Sequence, residues 1–268
     1  MIRFVGAGPG DIELITVKGM KALSAADCII YAGSLVNEQL LGYAKEGCKF
    51  FNSASMTLEE VISQMLANEQ HGLDTVRLHT GDPSLYGAIR EQIDMLVEQG
   101  VEYQVIPGVS SFSGAAAALG AEYTLNNVSQ TLILTRMAGR TPVPDREGIQ
   151  ELAKIQASMA IFLSSGMLDE LSANLIAGGY RPDTPAAIAY KVSWPDELLI
   201  RTTVSGLAKA AAEADIHKTA LILVGDFLGD SYQRSFLYNP QFSHGYRAAS
   251  AGGSDRGDGS SSAADRSN

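Results

Sequence analysis

Short β-branched or apolar runs alternate with helical stretches along this chain, a pattern that restricts it to an α/β fold. In the first half, strands are expected at residues 2–5, 28–31, 49–51, 75–79 and 103–106, with helices at 16–25, 58–68 and 86–99. Pro107-Gly108 breaks the fifth strand, and Ser110 stands where it would cap an Ala-rich helix over 110–119. The periodicity lapses around 123–129. It restarts with strands at 131–135, 160–163, 186–190, 198–202 and 220–225, and helices at 146–155, 167–177 and 204–214. The expected organisation is one α/β domain over 1–122 and a second over 123–247. A Gly/Ser/Asp-rich tail over 248–268 has no apolar spacing, the composition of a disordered segment.

Composition narrows the classes of function. With 46% hydrophobic and 19% charged residues, 268 residues can build a substantial core. The formal charge of −10 argues against a nucleic-acid partner, because phosphate binding needs a basic footprint. No window has the uninterrupted apolar length of a membrane span, so no membrane partner is expected. The N-terminus runs straight into a strand and shows no signal-peptide plan. Cys28 and Cys48 both lie in apolar runs and are expected as thiols in a reducing cytoplasm. They are too few for a cysteine-based metal site, and no metal is expected.

Three glycine turns follow predicted strands. The first, Gly6-Ala7-Gly8-Pro9-Gly10-Asp11, invites a dinucleotide-binding reading. Asp11 replaces the third fingerprint glycine, Pro9 offers no N–H, and a carboxylate at a helix start would repel a pyrophosphate. A tight structural turn and a non-phosphate active-site role both stay open. The second cluster, His79-Thr80-Gly81-Asp82-Pro83, ends a buried strand at the sheet edge where α/β proteins bind ligands. Gly-Asp-Pro makes a carbonyl-rich turn, better suited to a cation or an adenine edge than to a phosphate. The third, Pro107-Gly108-Val109-Ser110-Ser111, opens a helix; its hydroxyls can cap that helix or meet a ligand. No Gly-x-Ser-x-Gly elbow, Walker loop or His-Glu-x-x-His motif is present. Arg136 and Arg140 flank Met137-Ala138-Gly139 and could grip carboxylates, unless they are plain surface arginines.

Taken in order, the segments 6–11, 81–83, 107–111, 161–165, 185–195 and 219–225 resemble those of the tetrapyrrole methylase family, over nearly all of residues 1–230. The runs LITVKG, YAGSLV, HTGDPSLYGAI, QTLILTR, GRTPVP, FLSS and YKVSWPDE look closest to members that methylate C11 of precorrin-type macrocycles, with or without cobalt. Residues 235–247 are similar to a C-terminal extension found in many of these enzymes. The resemblance implies two α/β domains with an active-site cleft between them, a homodimer, and S-adenosylmethionine as methyl donor, released as S-adenosylhomocysteine. Carried over by position, cofactor contacts fall to Pro9, Gly81, Asp82, Pro83, Ser110, Ser111, Leu163, Val192 and Ala220. Ser110 replaces the threonine of many relatives and Leu163 the methionine of some, which keeps a hydroxyl and an apolar bulk.

The mechanism expected from this resemblance is mostly positioning and exclusion of water. Asp11 is the family-matched acid that could orient substrate or take a proton. Arg136 and Arg140 are candidates for binding the carboxylates of a precorrin-type tetrapyrrole. Three rivals stand beside this reading: another tetrapyrrole ring methylase, a nicotinamide oxidoreductase, and a non-catalytic binding protein. The second requires the opening turn to hold pyrophosphate.

Overall fold

The first strand, β1 (Ile2–Gly6), shows why the N-terminal sheet is buried on both faces. Ile2 and Phe4 pack into one apolar cluster, whereas Val5 belongs to another on the opposite face. That alternation is the pleat, with both sides covered as a parallel sheet requires. The computed structural model describes residues 1–235, 239, 242–243 and 245–248; of the tail expected over 248–268, only Ala248 falls within them.

After β1 come α1 (Val17–Ala25), β2 (Cys28–Tyr31), β3 (Lys49–Asn52), α2 (Leu58–Gln70), β4 (Thr75–His79), α3 (Ile89–Glu98), β5 (Tyr103–Ile106) and α4 (Ser111–Leu119). The strands form a parallel sheet of order β3-β2-β4-β1-β5. Ile29, Val76 and Leu78 join Val5 on the α1 side with Leu23. Cys28 and Ile30 join Phe4 on the other side, with Val61, Ile62 and Met65 of α2 and Leu96 of α3. Neighbouring β1 and β4 send their connections in opposite directions, to β2 and β5. This is a topological switch point, where α/β sheets leave a crevice beyond the strand ends.

Local chemistry sets the helix starts. Thr16 Oγ1 accepts from Gly19 N at 3.0 Å to open α1. Thr57 and Glu60 form a reciprocal capping box at the start of α2, with bonds of 3.2 and 2.7 Å. Two expectations need correction here. The helix expected from residue 86 begins only at Ile89, because Tyr86 and Ala88 are left-handed (φ 56° and 48°) and Gly87 is pressed against the Pro83 carbonyl. Ser110 occupies the N-cap position of α4, yet its side chain makes no capping bond.

The second half contains β6 (Leu132–Arg136), α5 (Ile149–Ala153), β7 (Ser158–Phe162), α6 (Leu168–Ala177), β8 (Pro185–Tyr190), β9 (Leu198–Thr203), α7 (Leu207–Glu213) and β10 (Ala220–Val224). Its sheet has order β6-β7-β10-β8-β9 and is mixed: β6 runs parallel to β7, and β10 antiparallel to it. Leu168, Leu171 and Leu175 make the buried stripe of α6. The helix expected over 146–155 shrinks to α5, because Asp145–Glu147 winds as a 3-10 turn before Gly148. The helix expected from residue 204 likewise starts as a 3-10 turn, Val204–Gly206, before α7.

The chain divides into two compact units. The first holds Met1–Gly120, Ile188–Ile200 and Ala214–Leu221; the second holds Ala121–Ala187, Arg201–Glu213 and the chain from Ile222 onward. No helix among the described residues is long and apolar enough to cross a membrane. Leu96 is wholly buried between α3 and the first sheet. Leu96→Ala is therefore expected to destabilise the protein by about 3 kcal/mol, read as a lower urea midpoint with an unchanged slope.

Candidate active site

Three adjacent strand ends, those of β4, β1 and β5, meet at backbone that carries no side chains. A Cβ placed on Gly6 would lie 2.5 Å from the Gly108 Cα and 2.6 Å from the Gly81 carbonyl oxygen. One placed on Gly108 would lie 2.1 Å from that same oxygen. Only glycine permits this approach. The first turn then crosses the end of β4: Ala7 N donates to His79 O at 2.7 Å, and Gly8 and Gly81 exchange bonds of 3.3 and 2.9 Å.

Asp82 ties the second turn to the third. Its Oδ2 accepts from Gly108 N at 2.8 Å, while Oδ1 takes the Ser84 amide at 2.9 Å and the Ser84 hydroxyl. Burial pushes this carboxyl up, but bonds from the Ser84 hydroxyl and the Gly108 and Ser84 amides outweigh it and hold the group below the usual range. The carboxylate is thus committed to shaping the loops.

The first turn is not a phosphate cradle. The amides of Ala7, Gly8 and Asp11 are bonded to His79 O, Gly81 O and Ser193 Oγ, and Pro9 has none. No α-helix begins there either; a 3-10 turn, Ile12–Leu14, intervenes before α1. Asp11 caps that turn through Oδ1, which accepts from Glu13 N at 2.9 Å. Its carboxylate is otherwise exposed to solvent.

Beneath this junction lies His79, 4% exposed and stacked against Phe4 with ring centroids 6.1 Å apart. Its Nε2 has no hydrogen-bond partner among the described residues. Burial, aided by the nearby Arg77 charge, depresses its pKa to about 3, so the ring stays neutral. Arg77 is itself buried and bonds to Gln92 Oε1 and Ile30 O, both at 3.2 Å.

Of the other predicted site residues, Pro9, Gly81, Pro83, Ser110 and Val192 are buried, and Ser111 and Ala220 partly so. All seven belong to the first unit. In the second unit, Leu163 is a large apolar residue 66% exposed, in left-handed backbone (φ 53°). Such strain in a non-glycine residue collects at functional loops. Arg136 spends its guanidinium on the carbonyls of Met137, Thr141 and Pro142, at 2.8–3.1 Å, and so ties down the loop that follows β6. Arg140 in that loop is exposed. A 310 Å³ depression beside Met137 and Ala138 is also lined by Asp145, Glu151 and Glu170, a poor seat for an anionic ligand. Asn37, Ser193 and Trp194 were not singled out as site residues by sequence reasoning, yet all three bond to the first turn. A lone tryptophan just past a strand end was the available signal.

The chain is similar to known proteins along most of its length. Residues 1–208 match the family profile of the Tetrapyrrole (Corrin/Porphyrin) Methylases. A cobalt-precorrin-4 C(11)-methyltransferase from Methanocaldococcus jannaschii is 53% identical over 92% of this chain and 95% of its own. A precorrin-4 C(11)-methyltransferase from Pseudomonas aeruginosa is 42% identical over 92% and 98%. The X-ray structure of a cobalt precorrin-4 methyltransferase, a cobalamin biosynthetic enzyme, superposes with a TM-score of 0.84 at 45% identity, covering 85% of this chain and 96% of that one.

The depressed pKa of His79 has a measurable consequence. In the unfolded chain an imidazole binds its proton below about 6.5, whereas the folded His79 does not until about pH 3. Its contribution to stability is therefore complete above the unfolded value and is lost as the pH falls toward the folded one. Replacing His79 with Gln should flatten the dependence of unfolding free energy on pH between about 4 and 5.5 by roughly 1.4 kcal/mol per pH unit, whatever the packing cost. Parallel wild-type and variant slopes in pH-resolved urea titrations would disprove the assignment.

Proposed function

The chain belongs to the tetrapyrrole (corrin/porphyrin) methylases, and we propose that it transfers a methyl group from S-adenosylmethionine to C11 of precorrin-4 or its cobalt form, within cobalamin biosynthesis. The observation that carries this reading is the 53% identity to a C11-methyltransferase across nearly the full length of both chains. The local chemistry supports it. Where glycine strips the strand ends of side chains, a ligand meets neutral main chain, and at Gly81 a Cβ would find only ordinary contacts of 3.7 Å and beyond. That suits a cationic, adenosyl-bearing donor, and with the amides of Ala7, Gly8 and Asp11 already bonded the first turn has little to hold a pyrophosphate, which weighs against the nicotinamide alternative.

S-adenosylmethionine supplies a methyl group on a sulfonium, which leaves as a neutral thioether, so the protein need provide no acid. Pro9, Gly81, Pro83, Ser110, Ser111, Val192 and Ala220 would hold the donor largely through main chain, small apolar groups and hydroxyls. Leu163 stays in the set on its family match and its exposed, strained backbone. Asp82 acts through the loops it fastens. With little acid–base work to do, the residues contribute mainly alignment. Asp11 keeps one carboxylate oxygen clear of its capping bond, available to orient the acceptor or take a proton. Arg140, exposed on its loop, is the arginine left to meet substrate carboxylates. The same reading makes the protein a cytoplasmic homodimer without nucleic-acid or membrane partners. Its two free cysteines and its charge of −10 are in keeping with that.

Incubation with S-adenosylmethionine and either precorrin-4 or its cobalt form should yield a product one methyl heavier, with the new carbon at C11 by NMR. Absence of methylation with both substrates would overturn the assignment. In the same assay Asp11→Asn, which retains a good capping side chain, is expected to melt like wild type and to lose at least roughly a hundredfold in kcat, the low end for general acid–base participation. Wild-type turnover would leave Asp11 a residue of the turn alone.

A further inference from the structure

The first turn lacks the bonds that secondary structure would give it. Residues 9–11 lie between β1 and a 3-10 turn, and three of their polar main-chain atoms are satisfied from elsewhere by side chains. Asn37 Nδ2 donates to Gly10 O at 2.9 Å. Trp194 Nε1 donates to Pro9 O at 2.9 Å, and Asp11 N donates to Ser193 Oγ at 2.9 Å. The indole also covers Gly10: a Cβ there would stand 2.2 Å from Trp194 Cδ1. Val192 and Pro9 converge on Gly114 of α4, where a Cβ would meet them at 2.9 and 3.2 Å.

The loop that supplies Ser193 and Trp194 is itself braced. Lys191 N donates to Thr219 O at 3.1 Å, Trp194 N to Lys191 O at 3.0 Å, and Ser193 N to Glu197 Oε2 at 2.6 Å. The Lys191 ammonium pairs with Asp196. This bracing holds two non-glycine residues in left-handed backbone, Lys191 at φ 44° and Ser193 at φ 64°. Strain of this kind survives only where the surroundings over-determine it, and it gathers at sites that need a fixed geometry.

We propose that the 191–197 loop is a positioning element, in which Trp194 and Ser193 fix the backbone from Pro9 to Asp11 in the form that receives the methyl donor. The proposal rests on the reading that this turn contacts S-adenosylmethionine. Neither residue is a catalytic group; both act through the turn.

Trp194 is the only tryptophan in the chain, so its emission reports from the turn itself. Titration of the wild-type protein with S-adenosylhomocysteine should change that emission saturably, with the same midpoint as the calorimetric signal. Trp194→Phe keeps an aromatic cover over Gly10 and loses the donor. Ser193→Gly loses the acceptor and relieves the left-handed strain, so its melting temperature should stay within about two degrees of wild type. Each variant should bind S-adenosylhomocysteine roughly three- to tenfold more weakly, the size of one neutral hydrogen bond. Each should also lose kcat at unchanged KM for the tetrapyrrole. Wild-type affinity and turnover in both variants would overturn the positioning role, as would losses that merely track a fall in melting temperature. No binding of S-adenosylhomocysteine to the wild type would overturn the methyl-donor reading and this role together.

Discussion

Everything at the candidate site depends on backbone packed directly against backbone at Gly6, Gly81 and Gly108. The Gly81 carbonyl oxygen lies within 2.1–2.6 Å of where side chains on its two neighbours would begin. A single methyl group at Gly6 or Gly108 would push apart the ends of β1, β4 and β5 and carry the three turns away from one another. Because the strands are adjacent and parallel, this contact also sets where the connections to α1, α3 and α4 depart.

Polar groups then lock what the glycines permit. Asp82 clamps the end of β5 from the end of β4, and its depressed pKa reflects three hydrogen bonds that outweigh its desolvation. The first turn is held from outside, by Asn37 on one side and by Ser193 and Trp194 on the other. With the amides of Ala7, Gly8 and Asp11 already bonded and none on Pro9, this turn has little to offer a phosphate.

The sequence made the framework legible because hydrophobic periodicity is a local property. β2, β4 and β5 match their expected spans, and the other strands differ by a residue or two at their ends. Where expectation failed, a local competitor had won. Left-handed residues at Tyr86 and Ala88 delayed α3, and a 3-10 turn shortened α5. Ser110 has the residue type of a cap, but its hydroxyl is not used as one. Arg136 looked like an open cation and is instead the anchor of its own loop, a fate that depends on three carbonyls up to six residues away.

By itself the sequence determined the α/β class, the glycine turns at the strand ends and, through their ordered spacing, the resemblance to the methylases. Periodicity and turn chemistry are written in residues close together along the chain. Only the tertiary structure decided that the segment Ile188–Ile200 belongs with the first unit, and that Trp194 caps Pro9 across 185 residues of chain. Such contacts arise from how separate elements pack and from which buried polar atoms are left needing a partner. No local pattern encodes that. The glycine-rich turn that opens the chain owes its meaning to those distant partners.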